Sequence, residues 1–244
     1  MSELKKSERR REEVSARIQS PSKATTTRNA ILETASLQLQ TRPFRDLTIG
    51  PLMRDAGYSR STFYQYFTDL HDLMDALLDG VRGGIIEAGR PRLVDDDDPV
   101  ANLRASLAGL VEVGRRSGVI LRAVADAAPT DERLERVWES FLASFDDVVA
   151  ARILRDQKKG LIPDFDPLPV ARALNRMDAA LLIEHFGRRR DVGGEALHSA
   201  LVQIWLSTLY PTRSPDLRDG PSFDPPRETG SRPGHESNRK KETE

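Results

Sequence analysis

No cysteine occurs among the 244 residues. Disulfides, thiolate-held metals and cysteine nucleophiles are excluded with it. Long apolar runs are also missing. Nothing approaches the roughly 18 consecutive apolar residues of a membrane span, and the charged N-terminus has no signal-peptide core. No membrane partner is expected, and the expected location is the cytoplasm. A large excess of one charge is missing too. The net charge is −1, so any nucleic-acid binding must rest on local positive charge. Catalytic patterns are absent. His71, His185, His198 and His235 form no metal-binding spacing, and there is neither a Gly-x-Ser-x-Gly elbow nor a Gly-rich phosphate loop. Neither an enzyme, nor a cofactor, nor a metal site is indicated. The run Asp95–Asp98 could supply oxygen ligands to a cation, but such a run is more often a solvated loop. No alternating strand pattern and no internal repeat is found.

What is present reads as helix between two polar tails, an all-α fold. Residues 1–24 are expected to be a disordered basic arm, with seven positive side chains against four negative and little to bury. It is either a solvated tail or an arm adding phosphate contacts. Residues 211–244 carry prolines and glycines at spacings that block helices, and are expected to be disordered. Helices are expected from the Thr25–Thr27 caps through Ala30, Ile31, Ala35, Leu37 and Leu39, then at about 48–55 and 59–66. A longer one should start at an Asp69 cap and end at Pro91. Two helices follow, at about 100–116 and 118–127. Another is capped by Thr130 and carries Leu134, Val137, Trp138, Phe141, Leu142 and Phe145. Asp166–Pro167 opens a helix to about 187, and the last runs from about 194 to 210.

The segment Thr48–Phe67 reads as a helix-turn-helix within a head of residues 25–67, followed by a body of residues 68–210. Thr48 is an N-cap position and Pro51 lies in the first turn, where its missing N–H costs little. Gly57 sits where the chain must turn, since glycine accepts positive φ. Ser59 caps the second helix. Phe63 and Phe67 share one face of it and anchor it. Arg60, Ser61, Tyr64 and Gln65 are left to point outward. Arg60, Ser61 and Gln65 suit base edges in a major groove. Thr48, Thr62, Tyr64, Tyr66 and Arg28 suit phosphates. Composition alone leaves an ordinary helical hairpin equally open.

The run Phe44–Phe67, with Ala56-Gly-Tyr-Ser59 and Thr62-Phe-Tyr-Gln-Tyr-Phe67, resembles the head of the tetracycline-repressor family. The resemblance extends over about residues 25–210. It implies an N-terminal head whose third helix reads bases, with a tyrosine at the Tyr64 place touching phosphate. It also implies a helical ligand-binding body whose last two helices pair across a two-fold axis. A more local likeness within the family, in Ala173–Ala180 and Leu201–Tyr210, implies an elongated apolar pocket. Asn175, Asp178 and Trp205 fall on positions that line or gate it. One departure is visible: Leu70 stands where the family usually has a phosphate-holding lysine.

Trp138, Phe141 and Trp205 are helical and apolar, and serve equally as core or as cavity wall. Asn175 and Asp178 lie three apart on an apolar helix and need partners if buried. The expected function is a homodimeric, ligand-responsive repressor of a palindromic operator, released by a hydrophobic small molecule. Its partners would be double-stranded operator DNA, a second copy and that effector. The alternative is a ligand- or partner-binding module with weak or non-specific DNA binding.

Overall fold

A computed structural model describes residues 23–94, 98–188 and 193–211, and eight α-helices lie among the described residues. They are α1 (Lys23–Leu39), α2 (Ile49–Asp55), α3 (Arg60–Phe63), α4 (Leu70–Val94), α5 (Pro99–Ala127), α6 (Glu132–Lys158), α7 (Pro167–Phe186) and α8 (Glu195–Leu209). No strand occurs among the described residues, so the all-α expectation stands. The expected arm up to residue 22, the expected tail from residue 212 and Asp95–Asp97 lie outside the described residues.

The head consists of α1, a 3-10 turn at Phe44–Asp46, α2 and α3. Ile31, Ala35 and Leu39 recur at four-residue steps on α1 and are buried with Phe44, Leu47, Leu52, Met53, Phe63 and Phe67. Leu37, expected on this face, instead points outward and is 62% exposed; two residues from Ala35 it lies on the opposite side of a helix with 3.6 residues per turn. The Thr25–Thr27 caps are also corrected, because α1 already begins at Lys23 and takes the threonines into the helix. Gln38 Nε2 donates to Asp55 Oδ2 at 2.6 Å and ties α1 to α2.

The body packs α5 along α4, with α7 and α8 against α5 and α6 against α7. Several expected boundaries move. α5 is one continuous helix rather than two. The break expected between residues 116 and 118 is absent, and Gly118 beside it is a close-packing position: a Cβ there would come within 2.7–2.9 Å of the Phe186 Cβ, carbonyl carbon and oxygen. α4 continues through Pro91 to Val94. α6 is capped by Asp131 and not by Thr130, because the Asp131 carboxylate accepts from the Arg133 and Leu134 amides. Asp98 caps α5 through the Ala101 amide, and Asp166 caps α7 through that of Leu168.

Alanine is the better helix former by about 0.5–1 kcal/mol, so the two kinds of helical glycine separate by experiment. Gly118→Ala should destabilise by about 1–3 kcal/mol through overpacking against Phe186. Gly83→Ala, with nothing within 4 Å of the new methyl, should be neutral or mildly stabilising. Urea unfolding of both variants checks this, and equal stability would disprove the packing role of Gly118.

Candidate functional site

The turn between α2 and α3 is built by hydrogen bonding. Gly57 has φ +79°. Its amide donates to the Arg54 carbonyl at 3.1 Å and the Tyr58 amide donates to that of Met53 at 2.9 Å. This pairing closes a helix end when the residue after it is left-handed, a conformation that favours glycine. Ser59 then starts α3, its Oγ accepting from the Thr62 amide at 3.2 Å. The regular helix ends at Phe63, earlier than expected. The Gln65 and Tyr66 amides reach back only three residues, to the Thr62 and Phe63 carbonyls, so the element tightens into turns.

Phe63 and Phe67 are buried, with ring centroids 5.5 Å apart. With that face fixed, Thr48, Arg60, Ser61, Tyr64 and Gln65 are exposed, while Thr62 and Tyr66 are half-buried. The Ser61 and Thr62 hydroxyls each lie 2.8 Å from Ser59 Oγ. The Arg28 guanidinium lies over the Phe67 ring, 5.4 Å from its centroid, which places it beside the same surface. Leu70 is half-buried at the start of α4.

α4, α5, α6, α7 and Trp205 of α8 line a cavity of about 170 Å³ in the body. Its wall is nearly all apolar. Ile85 and Ile86 come from α4, Leu103, Leu107 and Leu110 from α5, Phe141, Phe145, Val148 and Val149 from α6, and Leu182 from α7. Four of the five expected pocket residues line it: Phe141, Asn175, Asp178 and Trp205. Trp138 stacks on Phe141 at 5.6 Å and 12° and is not part of the wall. The indole Nε1 of Trp205 donates to Asp178 Oδ1 at 3.0 Å. Asn175 Nδ2 donates to Asp146 Oδ1 at 2.9 Å.

Arg152 also lines the cavity, although its side chain is only 1% exposed. It forms an ion pair with the fully buried Asp156 at 2.9 Å, and Asp156 accepts from the Tyr210 hydroxyl at 2.8 Å. The signal was visible in the sequence. Phe141, Phe145, Val148 and Val149 make a helical apolar stripe, and Arg152 and Asp156 continue it with charges.

Between head and cavity lies a reciprocal junction. Asp69 caps α4 with Oδ1, which accepts from the Asp72 amide at 2.9 Å, while its Oδ2 accepts from Arg133 Nη1 in the first turn of α6 at 2.6 Å. Asp131 caps α6 with Oδ1, while its Oδ2 lies 2.7 Å from Nε2 of His71 in the first turn of α4. An ionised carboxylate only accepts, so this His71 nitrogen carries the proton. The His71 ring also meets Phe44 of the head edge-on, with centroids 5.3 Å apart. The His71 hydrogen bond and two amide bonds hold the Asp131 carboxyl below its ordinary 3.8, against opposing desolvation. Burial raises the Asp69 carboxyl, but the Asp72 amide and Arg133 outweigh it, and the net shift is downward. No group of His, Cys, Asp or Glu side chains among the described residues is arranged to hold a metal ion.

This layout of a small helical head on a helical body with an internal cavity is the TetR-type fold. A TetR-family transcriptional regulator from Rhodococcus sp. superposes with a TM-score of 0.62 at 22% identity, covering 75% of this chain and 98% of that one. AibR, solved with isovaleryl coenzyme A and operator DNA, gives 0.55 at 17% identity, with 76% and 98% covered. The family model for the C-terminal domain of the transcriptional regulator EthR matches residues 103–211. The HTH-type transcriptional regulator EthR of Mycolicibacterium smegmatis is 29% identical over 193 residues, 75% of this chain and 86% of that protein. The chain thus has the fold of the TetR-family structures and resembles EthR in sequence. These relatives are described as transcriptional regulators.

Depressed carboxyl groups contribute stability above their unfolded pKa and lose it as pH falls through the folded one. Asn is as good an N-cap as Asp, so Asp131→Asn removes mainly the bond to His71. The pair is part-exposed, so the expected loss near neutral pH is small, about 0.2–1 kcal/mol. The gap between wild type and variant should close as pH drops below 3.8, the ordinary value of Asp131. Thermal melts between pH 7 and 3 measure it, and a gap unchanged across that range would contradict the assignment.

Proposed function

We propose that this chain is a homodimeric, ligand-responsive repressor whose heads bind successive major grooves of a palindromic operator. The observation that carries this reading is the exposed face of Thr48, Arg60, Ser61, Tyr64 and Gln65 on a turn anchored by buried Phe63 and Phe67. Arg60, Ser61 and Gln65 are assigned to base edges. Thr48, Thr62, Tyr64, Tyr66 and Arg28 are assigned to phosphates. Tyr66 is the weakest of these, because its ring packs against the core. The DNA-binding domain is taken as residues 25–67 and the body as 68–210. The cytoplasm is the assigned location, in keeping with the absence of any described helix long and apolar enough to cross a membrane.

The effector is assigned to the apolar cavity, and the operator complex of AibR with isovaleryl coenzyme A supports joint ligand and DNA binding on this fold. Ligand and operator affinities are then reciprocally coupled, typically by about 1–3 kcal/mol. The dimer is assigned to α7 and α8. Ala173, Ala180 and Ile204 are exposed there, with Met177, Leu181 and Leu206 half-buried beside them. Such a strip is what a helix pair across a two-fold axis would cover.

Two measurements test the reading. In gel shifts on the cognate operator, Arg60→Ala should cost about 1–3 kcal/mol and Tyr64→Phe less. Wild-type binding should weaken steeply with salt. If both variants bind as wild type, the assigned recognition surface is wrong. In sedimentation velocity, Ile204→Arg should shift the dimer to monomer, since it buries an unpaired charge. A variant that stays fully dimeric would move the interface elsewhere.

A further inference from the structure

Three hydroxyls meet at the start of α3. Ser59 Oγ accepts from the Thr62 amide at 3.2 Å and lies 2.8 Å from both Ser61 Oγ and Thr62 Oγ1. A hydroxyl has one proton to donate and two lone pairs to accept with. The Thr62 amide occupies one lone pair of Ser59. One proton and one lone pair are left for two hydroxyl neighbours, so Ser59 donates to one of them and accepts from the other. Ser61 and Thr62 are therefore never alike. The one that gives its proton to Ser59 faces outward with lone pairs alone. The one that receives from Ser59 keeps its own proton to donate outward. In the protein without DNA, both directions are open.

A phosphate fixes the direction. Its oxygens are anionic and only accept, so a hydroxyl that holds one gives it a proton. With Thr62 on a phosphate, Thr62 accepts from Ser59, and Ser59 accepts from Ser61. The protons then run from Ser61 through Ser59 and Thr62 to the anion, and each bond of such a chain strengthens the next. We infer that Ser61 addresses its base as an acceptor only, and selects adenine or cytosine over guanine or thymine on the strand it faces. This rests on the assignment of Thr62 to phosphate and of Ser61 to a base edge, and it adds the polarity of that contact. In the major groove adenine N6 and cytosine N4 carry amino donors, whereas guanine N7 and O6 and thymine O4 only accept. Ser59 is a positioning residue in this scheme. It touches no DNA and passes the phosphate's demand for a proton on to the base contact.

The test selects binding sites from a random double-stranded DNA library with full-length wild type, Ser61→Ala and Thr62→Val, and compares base preferences position by position. The position at which Ser61→Ala flattens the preference is the one that Ser61 reads. Wild type should favour adenine or cytosine there by about threefold or more, the weight of roughly one hydrogen bond. Thr62→Val keeps the shape, removes the phosphate contact and leaves Ser59 with one hydroxyl neighbour, which it can meet in either direction. It should weaken all sites together and flatten the preference at the Ser61 position alone. A wild-type preference for guanine or thymine at that position overturns the inference, as does an adenine or cytosine preference that survives Thr62→Val. Both of these outcomes leave the recognition surface standing. If Ser61→Ala changes no position, Ser61 reads no base, and that assignment falls with the inference. If wild type selects no sequence at all, the operator-binding reading falls as well.

Discussion

Two aspartates hold the starts of α4 and α6 together where the body meets Phe44 of the head. Asp69 and Asp131 each use one carboxylate oxygen to cap their own helix and the other to hold a cation in the first turn of the opposite helix. The arrangement is reciprocal: Arg133 follows its cap by two residues and so does His71. Every group involved is partly exposed, so each pair alone contributes little. Their effect is geometric. The capping bonds orient each carboxylate before the cross-contact forms, which removes much of the side-chain entropy that weakens ordinary surface pairs. The starts of α4 and α6 are thereby held together, and α4 is the element that leaves the head and enters the cavity wall.

Much of the local grammar was legible. Gly57 turned the chain, Ser59 capped α3, Asp166 capped α7, and the helical periods gave an all-α architecture. Each of these is decided by residues within about four positions, so a local reading suffices. The failures share the opposite property. The break expected between residues 116 and 118 does not form, and Gly118 beside it packs on Phe186, 68 residues away in the chain. Thr130 and Asp131 are both good caps, and the choice falls on the one whose second oxygen meets His71 across the fold. The junction itself pairs residues separated by 60 and 64 positions, which no periodicity encodes.

The site divides along the same line. The polar face of the head was readable because a buried Phe63–Phe67 pair leaves its neighbours nowhere to point but outward. Four of the five residues expected at a pocket line the cavity, while Trp138 does not, because a stripe on α6 is wide enough for one aromatic to back another instead of facing the lumen. Arg152 was passed over because a basic residue on a helix normally reads as surface. Only the tertiary structure shows Asp156 and Tyr210 closing over it.

The length of α6 connects these observations. Its first turn holds the junction, and its middle supplies Phe141, Phe145, Val148, Val149 and Arg152 to the cavity. At about 1.5 Å per residue, Arg152 lies roughly 30 Å along the helix axis from Asp131. A packed helix deforms little over such a span, so its middle and its first turn belong to one stiff element. Asp131 and Arg133 join that element to His71 and Asp69, and His71 meets Phe44 of the head. The cavity wall and the contact with the head are thus linked through one helix, with the paired aspartates at the joint.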